Sequence, residues 1–322
     1  MNRRQLFRSS AAFGLASLAA PGLLRAQSLA ELRIDYATYN PLSLLIRARG
    51  WLEEEFAADG TAITWVQSAG SNKALEFLSA SAIDIGSTAG SAALVAKING
   101  NPIRSVYSYS RPEWTALVTR KDSGITKVGD LKGKSVAVTR GTDPHIFLIR
   151  ALAAEGLSES DITPVLLQHA DGRAALVRGD VDAWAGLDPI LASAELQDDA
   201  RIFYRNVEAN TYGILNVTES FLEASPEAVT RVLQVYEKAR AHALENPADL
   251  HAVTVEATGL PPEVISRQLE ERTDLSNPRL GAAQHDTILA AGQALQQAGV
   301  IEASVDVAAV LASLIDDRLP EA

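Results

Sequence analysis

The sequence predicts a two-lobed α/β protein, and three observations carry that reading. The chain of 322 residues is longer than the ~100–200 residues of an ordinary compact domain. Short β-branched or apolar runs alternate with amphipathic helical patterns, as in α/β sheets. No repeat or low-complexity linker divides the chain, so the two lobes are expected to interleave. The chain would leave the first lobe near Ser108–Thr115 and return near Asn206–Tyr212. Two such crossings make a hinge, and a hinge between α/β lobes makes a closing cleft.

The first 26 residues read as an export signal. Arg3, Arg4 and Arg8 form a basic start, and an apolar, small-residue stretch runs from Ala11 to Leu24. No acid appears before Glu31. Asn2-Arg3-Arg4-Gln5-Leu6-Phe7 has the form of a twin-arginine signal. Cleavage is expected after Ala26, with Ser28 as the alternative. Losing Arg3, Arg4, Arg8 and Arg25 takes the formal charge from −11 to −15. The expected location is the periplasm. No later stretch is long and apolar enough to span a bilayer.

In the remaining chain, Leu32–Tyr36 reads as a first strand. Asn40-Pro41 then caps and opens a helix to about Ala57. Ala62–Gln67 is a strand, and Ser71-Asn72 starts a helix to Ala80. Ile83–Gly86 is a strand turning through Ser87–Ser91 into a helix. Ile103–Tyr109 and Thr115–Thr119 are further strands. The second lobe is expected to be a parallel sheet. Its strands are Ser135–Val138, Ile162–Leu167, Asp182–Ala185 and Arg201–Tyr204, with helices opening at Thr142-Asp143-Pro144, Asp171 and Asp188-Pro189. After the strand Tyr212–Val217, helical periodicity covers Pro226–Glu245, Ala248–Thr258, Pro262–Arg272 and Ala282–Ala298. The expected division is 29–112 with 209–322 in lobe 1, and 113–208 in lobe 2.

Several function classes are disfavoured. The chain has no cysteine, which removes disulfide scaffolds, thiolate metal sites and cysteine nucleophiles. With 29 basic against 40 acidic residues, it lacks the footprint of a nucleic-acid binder. Gly129-Asp130-Leu131-Lys132-Gly133-Lys134-Ser135 has three residues between its glycines where a phosphate loop needs four, and it leads into a strand. Gly86-Ser87-Thr88-Ala89-Gly90 has the outline of a nucleophile elbow without a partner histidine. The five histidines show no metal-ligand spacing, and neither metal nor cofactor is expected. His145 opens a helix, either as a solvated start or as a cleft donor.

One local geometry recurs. Strands are followed by helices opened by small or polar residues at Asn40, Ser71, Thr88–Ser91, Thr142-Asp143 and Gly186–Asp188. At the carboxyl edge of α/β sheets, such helix starts can hold an oxyanion without basic side chains.

The runs Ile83-Asp84-Ile85-Gly86-Ser87-Thr88, Asp130–Ala137, Gly179-Asp180-Val181-Asp182-Ala183-Trp184 and Leu187-Asp188-Pro189 occur in that order. Together they resemble the substrate-binding proteins of the ABC importers for aliphatic sulfonates, taurine and nitrate. Asp182-Ala183-Trp184 and Asp188-Pro189 point to the sulfonate branch. The resemblance implies a type II periplasmic binding fold with two α/β lobes, two crossovers and a ligand cleft. It implies a monomer that performs no chemistry, closes on a small organosulfur anion and delivers it to an inner-membrane permease. The alternatives are nitrate, a sulfate ester or a thiamin-precursor-like pyrimidine as ligand, or a periplasmic enzyme.

By the same resemblance, the turns approaching the ligand carry Asn40 and Pro41, Gly70 and Ser71, then Ser87, Thr88 and Gly90. In the second lobe they carry Gly141, Thr142 and His145, then Trp184, Leu187 and Asp188, with Tyr212 on the return crossover. Asp188 would cap its helix. Trp184 would either wall the ligand or pack beneath its turn. Arg111 and Trp114, in the first crossover, could meet an anion and its tail, or Arg111 could form a hinge salt bridge. Asp143 departs from the small hydroxyl residues of relatives. It either caps its helix or faces the cleft, countered by Arg111, Arg140 or His145, and selects a ligand bearing a donor group.

Overall fold

The computed structural model describes residues 29–317; the expected export signal lies outside the described residues. Strand β1 (Glu31–Tyr36) leads to helix α1 (Pro41–Arg49), where Asn40 accepts a bond from Ser43 N at 3.2 Å and Pro41 takes the first helical position. The expected continuous helix to Ala57 is broken. Gly50 adopts φ 65°, a left-handed conformation that side chains disfavour, and α2 (Trp51–Phe56) restarts beyond it.

Strand β2 (Ala62–Gln67) and helix α3 (Ser71–Ser79) follow. Strand β3 (Ile85–Ala89) lies later than expected, so Ser87 and Thr88 belong to its end and α4 (Gly90–Ile98) opens at Gly90. A Cβ on Gly90 would stand 2.6 Å from Ile288, so glycine lets a later helix cover this helix start. Strands β4 (Ile103–Pro112) and β5 (Thr115–Arg120) flank the first crossover.

The second lobe continues with β6 (Ser135–Val138), α5 (Asp143–Ala154), β7 (Thr163–Leu166), α6 (His169–Arg178), β8 (Ala183–Leu187), α7 (Ile190–Gln197) and β9 (Ala200–Tyr204). Before β6, Asp130 Oδ2 accepts from Thr126 N and Lys127 N, so this acid serves a local turn. Strand β10 (Gly213–Thr218) returns the chain to the first lobe. There follow α8 (Glu219–Ala224), α9 (Pro226–Glu245), α10 (Pro247–Thr258), α11 (Pro262–Arg272), the two-residue β11 (Thr273–Asp274), α12 (Ala282–Gln297) and α13 (Val307–Leu314).

The first sheet has the order β11-β4-β10-β3-β1-β2 and the second β7-β6-β8-β5-β9. The expected all-parallel second lobe is therefore corrected. Strand β6 is parallel to β7 and β8, while β5 is antiparallel to β8 and β9. The reason is the double crossing. Each lobe is entered by one strand running away from the hinge, β5 in the second and β10 in the first, while β1, β3, β6 and β8 run toward it. Their carboxyl ends thus meet between the lobes.

The first-lobe core also takes in Trp114, Ile146, Ile149 and Leu187, so apolar packing is continuous across the cleft. Trp184 lies in the second-lobe core with Val118, Leu176 and Leu191. Its indole packs under α6, where a Cβ on Gly172 would stand 2.6 Å from Nε1. It does not form the apolar wall offered as one of its two roles.

The crossovers are tied to each other. Arg205 Nη2 meets Glu113 at 2.6 Å, Arg111 Nη2 meets Glu208 at 3.2 Å, and Thr115 N donates to Asn210 Oδ1 at 2.9 Å. Arg111 is thus a half-exposed hinge residue and does not reach the buried cleft.

Helix α11 grips both lobes. Gln268 Nε2 donates to the Thr38 carbonyl at 2.9 Å, and Arg272 Nη1 meets both oxygens of Asp188 at 3.1 and 3.2 Å. Arg272 also pairs with Glu195. Asp188 Oδ1 accepts in addition from Ala192 N at 2.9 Å, so it steadies the start of α7. Burial pushes the Asp188 carboxyl up to about 6 against the pull of Arg272. Removing one member of a buried pair strands the other charge and costs about 3–5 kcal/mol. Arg272→Met is therefore expected to lower stability by about 3 kcal/mol in urea unfolding; a loss under ~1 kcal/mol, the scale of an exposed pair, would mean that the clamp contributes no more than a surface ion pair.

Candidate functional site

The carboxyl ends of β1 and β3 build the first-lobe floor. Asp35 is fully buried, and its Oδ1 accepts from Ser87 N and Ser87 Oγ, both at 2.8 Å. Burial pushes its carboxyl up to about 6, and the Ser87 bonds oppose that. Asn40 Nδ2 donates to Ser87 Oγ at 2.7 Å, and Tyr39 OH donates to the Ser87 carbonyl at 3.0 Å. Thr88 Oγ1 accepts from Asn216 Nδ2 at 2.7 Å, and Ser71 Oγ accepts from Ala89 N at 3.0 Å. Asn40, Ser71, Ser87 and Thr88 thus come together as expected by position, but their polar atoms are engaged with the protein. Gly90 N donates to the Tyr212 carbonyl at 3.0 Å, which draws the return crossover onto the start of α4.

The second lobe presents Asp143. Thr142 precedes α5, its hydroxyl turned back to the Thr139 carbonyl at 2.6 Å. Asp143 points across the cleft and is almost completely buried. Its Oδ1 accepts from Ser91 Oγ at 2.5 Å and Thr211 Oγ1 at 2.7 Å. Its Oδ2 accepts from Trp114 Nε1 at 2.8 Å and Thr211 N at 3.1 Å. The carboxylate therefore joins the second lobe to α4 and to both crossovers. Trp114 in turn sets its indole edge-on to Tyr39, with ring centroids 6.0 Å apart.

The cations expected to counter Asp143 are elsewhere. Arg140 and His145 both meet Glu159, at 3.4 and 3.2 Å. Burial lowers the His145 pKa, and Glu159 opposes that. With Gly141 and Asn72 these residues rim an interlobe groove of about 740 Å³, whose apolar wall includes Ala92, Ile146 and Leu295. Arg150, further along α5, donates to the Ala209 carbonyl at 3.0 Å and feels the Asp143 charge, although burial is the larger effect and lowers its pKa.

Gly70 receives a further interlobe contact. The buried His169 ring lies against it, with Nε2 3.0 Å from where a Cβ would be. Its Nδ1 meets Thr139 Oγ1 at 3.2 Å, and that hydroxyl already donates to the Leu167 carbonyl. Nδ1 therefore carries the proton, and Nε2 has no partner.

Sequence reasoning missed Asp35, His169, Ser91 and Thr211 as site residues. Ser91 had a signal, since it opens a helix beside Gly90, and Thr211 lies in the expected return crossing.

Residues 46–250 match the NMT1/THI5-like family. The chain belongs to that family. An aliphatic sulfonates-binding protein of Escherichia coli K12 is 30% identical over 280 residues, 85% of this chain and 87% of that protein. The alkanesulfonate-binding protein SsuA from Xanthomonas axonopodis pv. citri, solved bound to MOPS, superposes with a TM-score of 0.80 at 28% identity, covering 91% of this chain and 100% of that one. A further relative is the 4-amino-5-hydroxymethyl-2-methylpyrimidine phosphate synthase of Aspergillus parasiticus, 26% identical over 251 residues, 73% of this chain and 72% of that protein. The sequence resemblance is thus matched by relatives, and the NMT1/THI5-like chain has the periplasmic binding protein fold expected of it. Among its described residues no helix is long and apolar enough to cross a membrane.

The site also carries a pH signature. Burial holds His169 down at about 4, so between pH 4 and 6.5 the unfolded chain binds a proton that the folded chain refuses. Stability from this group is present above pH 6.5 and is lost as pH falls toward 4. Relative to His169→Asn, the wild-type chain is expected to lose about 2 kcal/mol between pH 7 and 4.5 in urea unfolding. Parallel pH profiles for the two chains would contradict a buried neutral imidazole.

Proposed function

We propose that this chain is the periplasmic solute-binding component of an ABC importer, closing its lobes on a small organosulfur anion, a sulfonate in the first instance, and passing it unchanged to an inner-membrane permease. The observation that carries the reading is the cleft itself. One of its buried interlobe contacts is an anion, the Asp143 carboxylate, held by hydroxyl, indole and backbone donors with no cation among those partners. A cleft that holds a buried carboxylate in this way has chemistry suited to a compact oxyanion. The sulfonate-binding relatives support the choice of headgroup.

A ligand that binds the closed form stabilises it by about 2.7 kcal/mol at a hundredfold excess over its dissociation constant. Thermal unfolding with a series of alkanesulfonates, nitrate, a sulfate ester and an aminopyrimidine is expected to give an upward shift of about 5 °C for sulfonates. A shift confined to the pyrimidine would move the chain toward its synthase relatives, and conversion of that compound would make it an enzyme.

Export is tested separately. Replacing Arg3 and Arg4 with lysine is expected to retain the precursor in the cytoplasm. Undiminished mature protein in the periplasm would exclude the twin-arginine route.

A further inference from the structure

Asp143 is held as a bound ligand would be. It lies in the first turn of α5, yet its side chain leaves that helix and crosses the cleft. A carboxylate offers about four lone-pair sites, and Ser91 Oγ, Thr211 Oγ1, Thr211 N and Trp114 Nε1 fill them at 2.5–3.1 Å. No acceptor remains for a donor carried by a solute, which removes the basis for Asp143 selecting such a ligand in this closed state. The three donor residues are 1–3% exposed and Asp143 is 2% exposed, so the contact excludes water.

The donors belong to the first lobe and the crossovers, whereas the acceptor belongs to the second lobe. We infer that Ser91, Trp114 and Thr211 form the anion subsite of the cleft, and that Asp143 is its tethered occupant, a specificity-determining residue that a solute's anionic head must displace. The groove lined by Ala92 and Ile146 adjoins this point, since Ala92 follows Ser91 and Ile146 lies one helical turn beyond Asp143. It offers an apolar wall to the tail of an incoming anion. A tethered carboxylate competes at a fixed local concentration. Anions with more acceptor oxygens, or with a tail that uses the groove, displace it best. This inference rests on the solute-binding reading above, and its test separates the two.

The experiment uses the mature chain, Asp143→Ala and Asp143→Asn. Titration calorimetry with ethanesulfonate and MOPS measures affinity, and small-angle X-ray scattering with and without formate measures closure. Both variants are expected to bind ethanesulfonate at least tenfold more tightly than the wild-type chain. Without added anion the Ala variant is expected to scatter as an open form. Millimolar formate, which restores a free carboxylate to the subsite, should reclose it and leave the wild-type profile unchanged. The formate arm does not depend on sulfonates. If formate recloses the variant while no chain binds a sulfonate, the solute class is wrong and the tethered occupant stands. If both variants stay closed, ignore formate and gain no affinity, Asp143 is a structural latch and the inference falls. Loss of sulfonate affinity in both would also overturn it, because Asp143 would then serve the solute directly. Should circular dichroism show Asp143→Ala to be unfolded, the isosteric Asn variant carries the affinity and scattering readings alone.

Discussion

A carboxylate taken out of water must have its lone pairs filled, and the fold meets this demand at Asp143 only by bringing both lobes and both crossovers to one point. Much of the interior is fixed by that convergence. Trp114 donates to Asp143 and presents its ring to Tyr39. Tyr39 bonds the Ser87 carbonyl, and Ser87 holds both Asp35 and Asn40. A line of contacts thus runs from the second lobe, through the crossover, to the ends of β1 and β3. Asn40 and Ser87, which their positions offer to a ligand, are already part of that line.

The closed arrangement has other supports, differing in kind. Ile146 and Ile149 of α5 pack into the first-lobe core and contribute through removal of apolar surface from water. Arg272 contributes a buried ion pair, whose net worth is small but whose disruption is costly. His169 against Gly70 contributes shape, because glycine leaves room for the ring. Opening the cleft must rehydrate Asp143, expose the isoleucines and separate Arg272 from Asp188. A ligand has to offset those losses with its own contacts.

The architecture was legible in the sequence because it rests on local signals. The Asn40-Pro41 start, the β2 run and the boundaries of α9 and α11 all follow from capping residues and periodicity. The crossings lie between β4 and β5 and between β9 and β10, where the chain changes sheet. What was not legible depends on partners far along the chain. The reversed direction of β5 comes from tertiary topology, and the break at Gly50 comes from a backbone choice glycine merely permits. At the site, Asp143 was recognised as anomalous for its turn, but its partners are 29, 52 and 68 residues away. For Arg111 and Trp184 the sequence leaves two roles open, and charge pairing with Glu208 and packing under α6 decide between them.

The lacing of the two crossovers has a mechanical consequence. Strands β4 and β10 are neighbours in one sheet, and β5 and β9 are neighbours in the other. Both connections therefore leave and arrive side by side, and Arg205–Glu113, Arg111–Glu208 and Thr115–Asn210 join them along their length. Two cords anchored in parallel and stitched together bend readily about a line across both, but they resist twisting and sliding. The lobes are left with essentially one soft coordinate, like the covers of a stitched book, so each closure returns the same atoms of one face to the same atoms of the other.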